Sequence, residues 1–287
     1  MMRKVLIFMT LALMAVAAGQ AQAVPAGQGG LRDIRQSVEA SSLSGEQKAA
    51  LTQAAREAVE AGVPHEDVAV IVTGGLSQGA DVHALTRFLA VARDVQAQGL
   101  PVRPVLNKIE QGSAKGVPPE RIIEVVGRVR VNLVTARDMV DGVVAQGLAK
   151  NAPEEKKGAV EALAGALERG VPAGDIVELG QKAAEVKSSL SQFSRAVETL
   201  ANLKEMGMPR DLALKAARKA VILNYSERGM ARMERDLLTM RKSGMSWEDS
   251  FREMGAGMER CRGGMGGAGS GSGMGGGSGN GQRMQGK

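Results

Sequence analysis

Glu57-Ala58-Val59-Glu60-Ala61-Gly62-Val63-Pro64-His65-Glu66-Asp67 carries the word that decides the fold. Gly62-Val63-Pro64 returns as Gly116-Val117-Pro118 and Gly170-Val171-Pro172, 54 residues apart each time. Looser copies are Gly99-Leu100-Pro101, Asn151-Ala152-Pro153, Gly207-Met208-Pro209 and Gly244-Met245-Ser246. Glycine ends a helix at least cost because it enters the left-handed conformation without a Cβ clash. The apolar residue after it folds back onto the last turn, and proline opens the next helix where a missing N–H costs nothing. The word therefore reads as stop, staple, start. Glu66 and Asp67, Glu120, Glu154 and Glu155, Asp175 and Asp211 follow the prolines, where negative charge meets the positive end of a helix dipole.

Words at a fixed spacing mark copied units. Short units are read over 45–61, 99–115 and 153–169, and long ones over 62–98, 116–152, 170–206 and 207–243. Val82, Leu85, Leu89 and Ala92 stand at the same offsets as Leu190, Phe193, Val197 and Leu200, and steps of three and four put each set on one helix face. A long unit exceeds ordinary helix length, so each is read as a short helix, a bend and a longer helix. Gly74-Gly75, Gly127 and Gly180 are the expected bends. The expected fold is all-α, with stacked helical repeats forming a solenoid or an irregular bundle over 45–260, behind a flexible start and capping helix over 24–44. Aromatic residues make up 2% of the chain, so Ala, Val, Leu and Ile must pack the core, which suits close helices.

The ends read differently. Arg3 and Lys4, the apolar run 5–18 and Ala21-Gln22-Ala23 form a signal peptide over 1–23, which places the mature chain in the periplasm or outside the cell. No later stretch is of membrane-spanning length. The segment 261–287 is rich in Gly, Ser and Met and is expected to be disordered. Cys261 is the one cysteine, so no intramolecular disulfide forms. Net charge is +6, or +4 without Arg3 and Lys4, with both signs interleaved. Neither a basic stripe nor interleaved aromatics suggests nucleic acid.

The stretch 99–122, with Asn107-Lys108, Gly112 and Lys115-Gly116-Val117-Pro118-Pro119-Glu120-Arg121-Ile122, resembles segments of uncharacterised exported bacterial proteins. That resemblance spans about one short unit and implies no activity.

Gly75-Leu76-Ser77-Gln78-Gly79 fits the G-x-S-x-G elbow of serine hydrolases, after an apolar run at 68–72. The elbow needs a histidine much later in the chain, yet the two histidines are His65, before Ser77, and His83, six residues after it. No enzyme and no cofactor are expected. Met254, Met258, Cys261 and Met265 step by four, three and four; on a helix their sulfurs would share one face and suit Cu(I). The alternative role is an apolar stripe that docks the last helix. Trp247 and Phe251, four apart, are read as core residues, with Tyr225 nearby in a distinct end cap or contact surface. The leading functional expectation is a non-enzymatic interaction protein whose partner is a protein or an envelope component; Cu(I) handling is the alternative.

Overall fold

The computed structural model describes residues 26–148 and 153–263. The stretch 1–23 expected to be a signal peptide, Asn151-Ala152 of one looser word, and residues 264–287 lie outside them. Among the described residues there are twelve helices and no strand, so the fold is all-α. None of these helices is long and apolar enough to cross a membrane. The helices are α1 (Ala26–Ala40), α2 (Gly45–Glu60), α3 (His65–Ser77), α4 (Val82–Ala97), α5 (Arg103–Ala114), α6 (Pro119–Ala145), α7 (Pro153–Glu168), α8 (Ala173–Glu185), α9 (Leu190–Glu205), α10 (Arg210–Ile222), α11 (Glu227–Lys242) and α12 (Trp247–Gly263). Helix α1 starts inside the stretch expected to be flexible, and α12 runs past 260.

Two compact units divide the chain. One holds the residues up to Gln98 together with Leu106–Ile123; the other holds Gly99–Val105 and everything from Glu124 onward. In the first, α1 packs on α3 and α2 on α4. In the second, the 16-residue helices α7, α9 and α11 pack each on the next, and the alternating helices α8, α10 and α12 do the same. Leu163, Phe193, Leu200, Leu179, Ala217 and Leu237 fill the space between them and are buried.

The words act as read, with one refinement. Gly62 has φ +95°, its N–H donates to the Val59 carbonyl at 2.9 Å, and the Val63 N–H reaches the Ala58 carbonyl at 3.0 Å. These two bonds satisfy carbonyls that the helix end would leave free. Val63, Val171 and Met208 are the buried staples. Pro64, Pro172 and Pro209 occupy the N-cap rather than the first helical position, in extended backbone.

Two expectations fail for physical reasons. The first concerns the bends. Gly74 and Gly75 lie inside α3, Gly180 inside α8, and Gly127 inside α6, which runs 27 residues without a break. The actual turns lie at Gly79 (φ +71°), Lys187 (φ +54°) and Asn224 (φ +54°), each two residues past the end of a short helix. Gly75 is small because α4 comes close there: a Cβ would lie 2.3 Å from Leu85 Cδ2. Gly112 meets Ile122 in the same way, at 2.7 Å.

The second concerns the 54-residue spacing, which equates unlike joints. The words at 62 and 170 join a long helix to a short one, whereas the word at 116 joins short α5 to long α6. The helices themselves step by 37, with α8, α10 and α12 starting at 173, 210 and 247. The same step from Gly99 falls on Ala136-Arg137-Asp138, which offers neither stop nor start, and Ala136 is buried. Helix α6 therefore continues through the place where a joint would stand.

Candidate functional site

The hydrolase motif is helix. Ser77 ends α3 and its hydroxyl donates to the Gly74 carbonyl at 2.8 Å, the back-bond of a serine in a last turn. The run 68–72 before it is also α3, so no strand leads into an elbow. His65 Nδ1 lies 3.2 Å from Glu66, on the first turn of α3, and His83 is exposed on α4.

The sulfur stripe is partly placed. Helix α12 runs through positions 254, 258 and 261 to Gly263. The Met254 side chain is buried, and α12 packs on α10 and α11, so at Met254 the stripe docks the helix. Met265 lies outside the described residues. Among those residues no group of three or more His, Cys, Asp or Glu side chains could hold a metal ion. Trp247 is buried as expected, with the Arg241 guanidinium 5.8 Å from its ring centre, and Phe251 and Tyr225 are half-buried.

One concavity lies on α6 and α7. It is an open groove of about 660 Å³ lined by Val125, Gly127, Val129, Val131, Asn132 and Leu167, with the acids and base Glu124, Glu168 and Arg128 at its sides. Val129 is buried beneath it, whereas Val131 is 64% exposed. Arg128 Nη1 donates to Glu124 Oε1 at 2.7 Å across one turn of α6. Gly127 makes room rather than a bend, since nothing lies within 4 Å of its Cβ position. A single uninterrupted helix therefore displays an apolar strip rimmed by charge, and such strips mark binding surfaces more often than catalytic ones. Sequence reasoning missed it because a bend at Gly127 would have sent Val125 and Val131 to different helices.

Between long helices, polar pairs add to the apolar contact. Glu234 of α11 receives Arg195 Nη2 at 2.6 Å, Thr199 Oγ1 at 2.6 Å and Asn202 Nδ2 at 3.0 Å, all from α9. Asn202 Oδ1 accepts from Arg169 Nη1 at the end of α7, at 2.7 Å. Among the short helices, Arg210 grips the buried Asp175 with Nε and Nη2, at 2.9 and 2.5 Å. The Asp175 carboxylate raises the guanidinium's affinity for its proton, through the hydrogen bond first and charge second. Every one of these groups is satisfied by its neighbour, which is the arrangement of a structural joint.

No protein family, curated protein or solved structure matches this chain.

Proposed function

We propose that the chain is an exported, non-enzymatic helical-repeat protein that binds a protein or envelope component in the periplasm or at the cell surface. The groove on α6 and α7 carries the reading: Val131 stands 64% exposed in the middle of a long helix and lines a groove that Glu124, Arg128 and Glu168 also line. Export is supported by Arg3-Lys4, the apolar run 5–18 and Ala21-Gln22-Ala23. A photo-crosslinking residue at position 131 of the mature chain, exposed to an envelope extract, is expected to give a discrete adduct. That adduct should be absent when the same residue replaces the exposed Lys215 of α10. No adduct, or the same adducts at both positions, defeats the reading. N-terminal sequencing of the expressed chain should begin at Val24, and retention of Met1 would defeat the export part.

Cu(I) handling is the second reading, favoured by the helical course of α12 through Met258 and Cys261. Titration of the mature protein with Cu(I) tests it. Affinity unchanged when Met254, Met258, Cys261 and Met265 are all replaced removes it.

A further inference from the structure

Helices α9 and α11 are both 16 residues long, start 37 residues apart and are capped by Ser189 and Ser226. The face that α9 turns to α11 works through donors. Ser191 donates to the Glu227 carboxylate, and Arg195, Thr199 and Asn202 converge on Glu234, whose side chain is 13% exposed. One well-placed carboxylate, received by three donors, thus seats α11 on α9.

Moving 37 residues on, Ser191, Arg195, Glu198, Thr199 and Asn202 become Arg228, Arg232, Arg235, Asp236 and Thr239 of α11. All five are exposed. Thr199 is fully buried under α11, whereas Asp236 is open; Leu203 is fully buried, whereas Met240 is half-buried. The face that in α9 receives a helix is therefore uncovered in α11. It also changes character, because Arg228, Arg232 and Arg235, at steps of four and three, share one side. None of the three makes an ion pair among the described residues.

We infer that this face of α11 docks an acidic helix of a partner protein, with partner carboxylates meeting Arg228, Arg232 and Arg235, while Asp236, which stands where Thr199 donates to Glu234, receives none. Charge selects the occupant. Residues 264–287 contain no Asp or Glu and carry Arg283 and Lys287, so that stretch offers this face no acidic side chain. The concavity beside α2 holds Lys48 and Arg56 against the one acid Glu39, already paired with Lys48, so a second copy brings a net basic surface there. The inference rests on the interaction role proposed above but uses a different surface, so crosslinking at Val131 and binding at α11 fail independently.

The test uses the mature chain and a fluorescent Ala/Gln-based helical peptide carrying Glu at i, i+4 and i+7, with Gln at those positions in the control peptide. The Glu peptide is expected to bind and the Gln peptide not, with binding weakened by added salt. Arg228→Glu, Arg232→Glu and Arg235→Glu together should weaken binding at least about tenfold. Reversal of the exposed Arg32, Arg35 and Lys215 should leave it unchanged. Circular dichroism verifies that both variants are folded. The inference is overturned if the Glu peptide fails to bind or if both reversals weaken it equally. It is also overturned if only phosphatidylglycerol vesicles or a DNA duplex bind this face.

Discussion

Gly74→Ala and Gly75→Ala should move stability in opposite directions although the residues are adjacent in α3. Nothing lies within 4 Å of a Cβ on Gly74, whereas one on Gly75 would meet Leu85 Cδ2 at 2.3 Å, Cδ1 at 3.2 Å and Cγ at 3.3 Å. Replacing glycine by alanine inside a helix gains about 0.5–1 kcal/mol through the restricted unfolded chain. Gly74→Ala keeps that gain. Gly75→Ala has the same gain opposed by overpacking, which costs about 1–3 kcal/mol when the core cannot yield. Carbon atoms prefer separations of about 3.5–4 Å, so the nearest contact falls short by more than about 1 Å. Leu85 is buried and held from several sides, so its rotation displaces other core atoms. Overpacking therefore wins, and Gly75→Ala is expected to lose about 1 kcal/mol net. Urea unfolding followed at the helical circular dichroism band would show the two midpoints shifted apart by roughly 0.5–1 M for an ordinary denaturant slope. Adding Leu85→Ala should recover most of the overpacking, a coupling of about 1–2 kcal/mol between the two sites. Equal stabilisation by both alanines would show that α4 does not lie against α3 at this point. Destabilisation by both would show that residues 74 and 75 are not helical.

Ser188→Ala is expected to stabilise by about 1 kcal/mol, because a buried hydroxyl without a partner is the cost removed; its Oγ is buried and unpaired. A fall in Tm would reveal an undetected partner. Lys187→Gly should stabilise by about 1 kcal/mol, since lysine bears the left-handed penalty at φ +54° that glycine avoids. Asn224→Gly should gain less, because asparagine tolerates that conformation and accepts from Gln192 Nε2 at 2.9 Å; a larger gain for Asn224→Gly would contradict the elbow geometry. Arg210→Met should lower Tm more than Arg218→Met does, since it strands the buried Asp175 whereas Arg218 leaves the half-exposed Glu178 to water; equal losses would mean that water reaches Asp175. The Gln53 hydrogen bond, helped by the Arg93 hydrogen bond and charge, holds the Glu57 carboxyl below its ordinary value of 4.5. A depressed carboxyl stabilises the fold above its unfolded value and loses that contribution as pH falls through the folded value. Glu57→Gln should therefore lower Tm at neutral pH, with the gap closing below about pH 4.5; a gap independent of pH refutes the pairing.

Much of the fold is legible in short words. Glycine, an apolar staple and proline name a helix joint because each residue answers one local need, so Gly62, Gly170 and Gly207 could be read directly. The same locality misled the period. Stop, staple and start are alike whichever helix follows, so the word at 116 looks identical although it joins the opposite pair of helices. Lys187 hid one turn because lysine is no signal for a left-handed backbone, whereas Asn224 carried a weak signal, since asparagine tolerates that conformation. The missing joint at Ala136 was visible only as an absence, and an absence can be read only once the step is known.

The step also explains why the polar contacts escaped the sequence. Glu57 pairs with Arg93 across 36 residues, Asp175 with Arg210 across 35, Thr199 with Glu234 across 35 and Arg195 with Glu234 across 39. Read one residue at a time, these are charges scattered over solvated helices. Read at intervals near 37, they are the contacts that set each helix on its predecessor, and a side chain's fate depends on what stands one step away. Helix α9 finds Glu234 there. At the same interval beyond α11 the sequence carries no Asp or Glu, so nothing there repeats Glu234 for Arg228, Arg232 and Arg235.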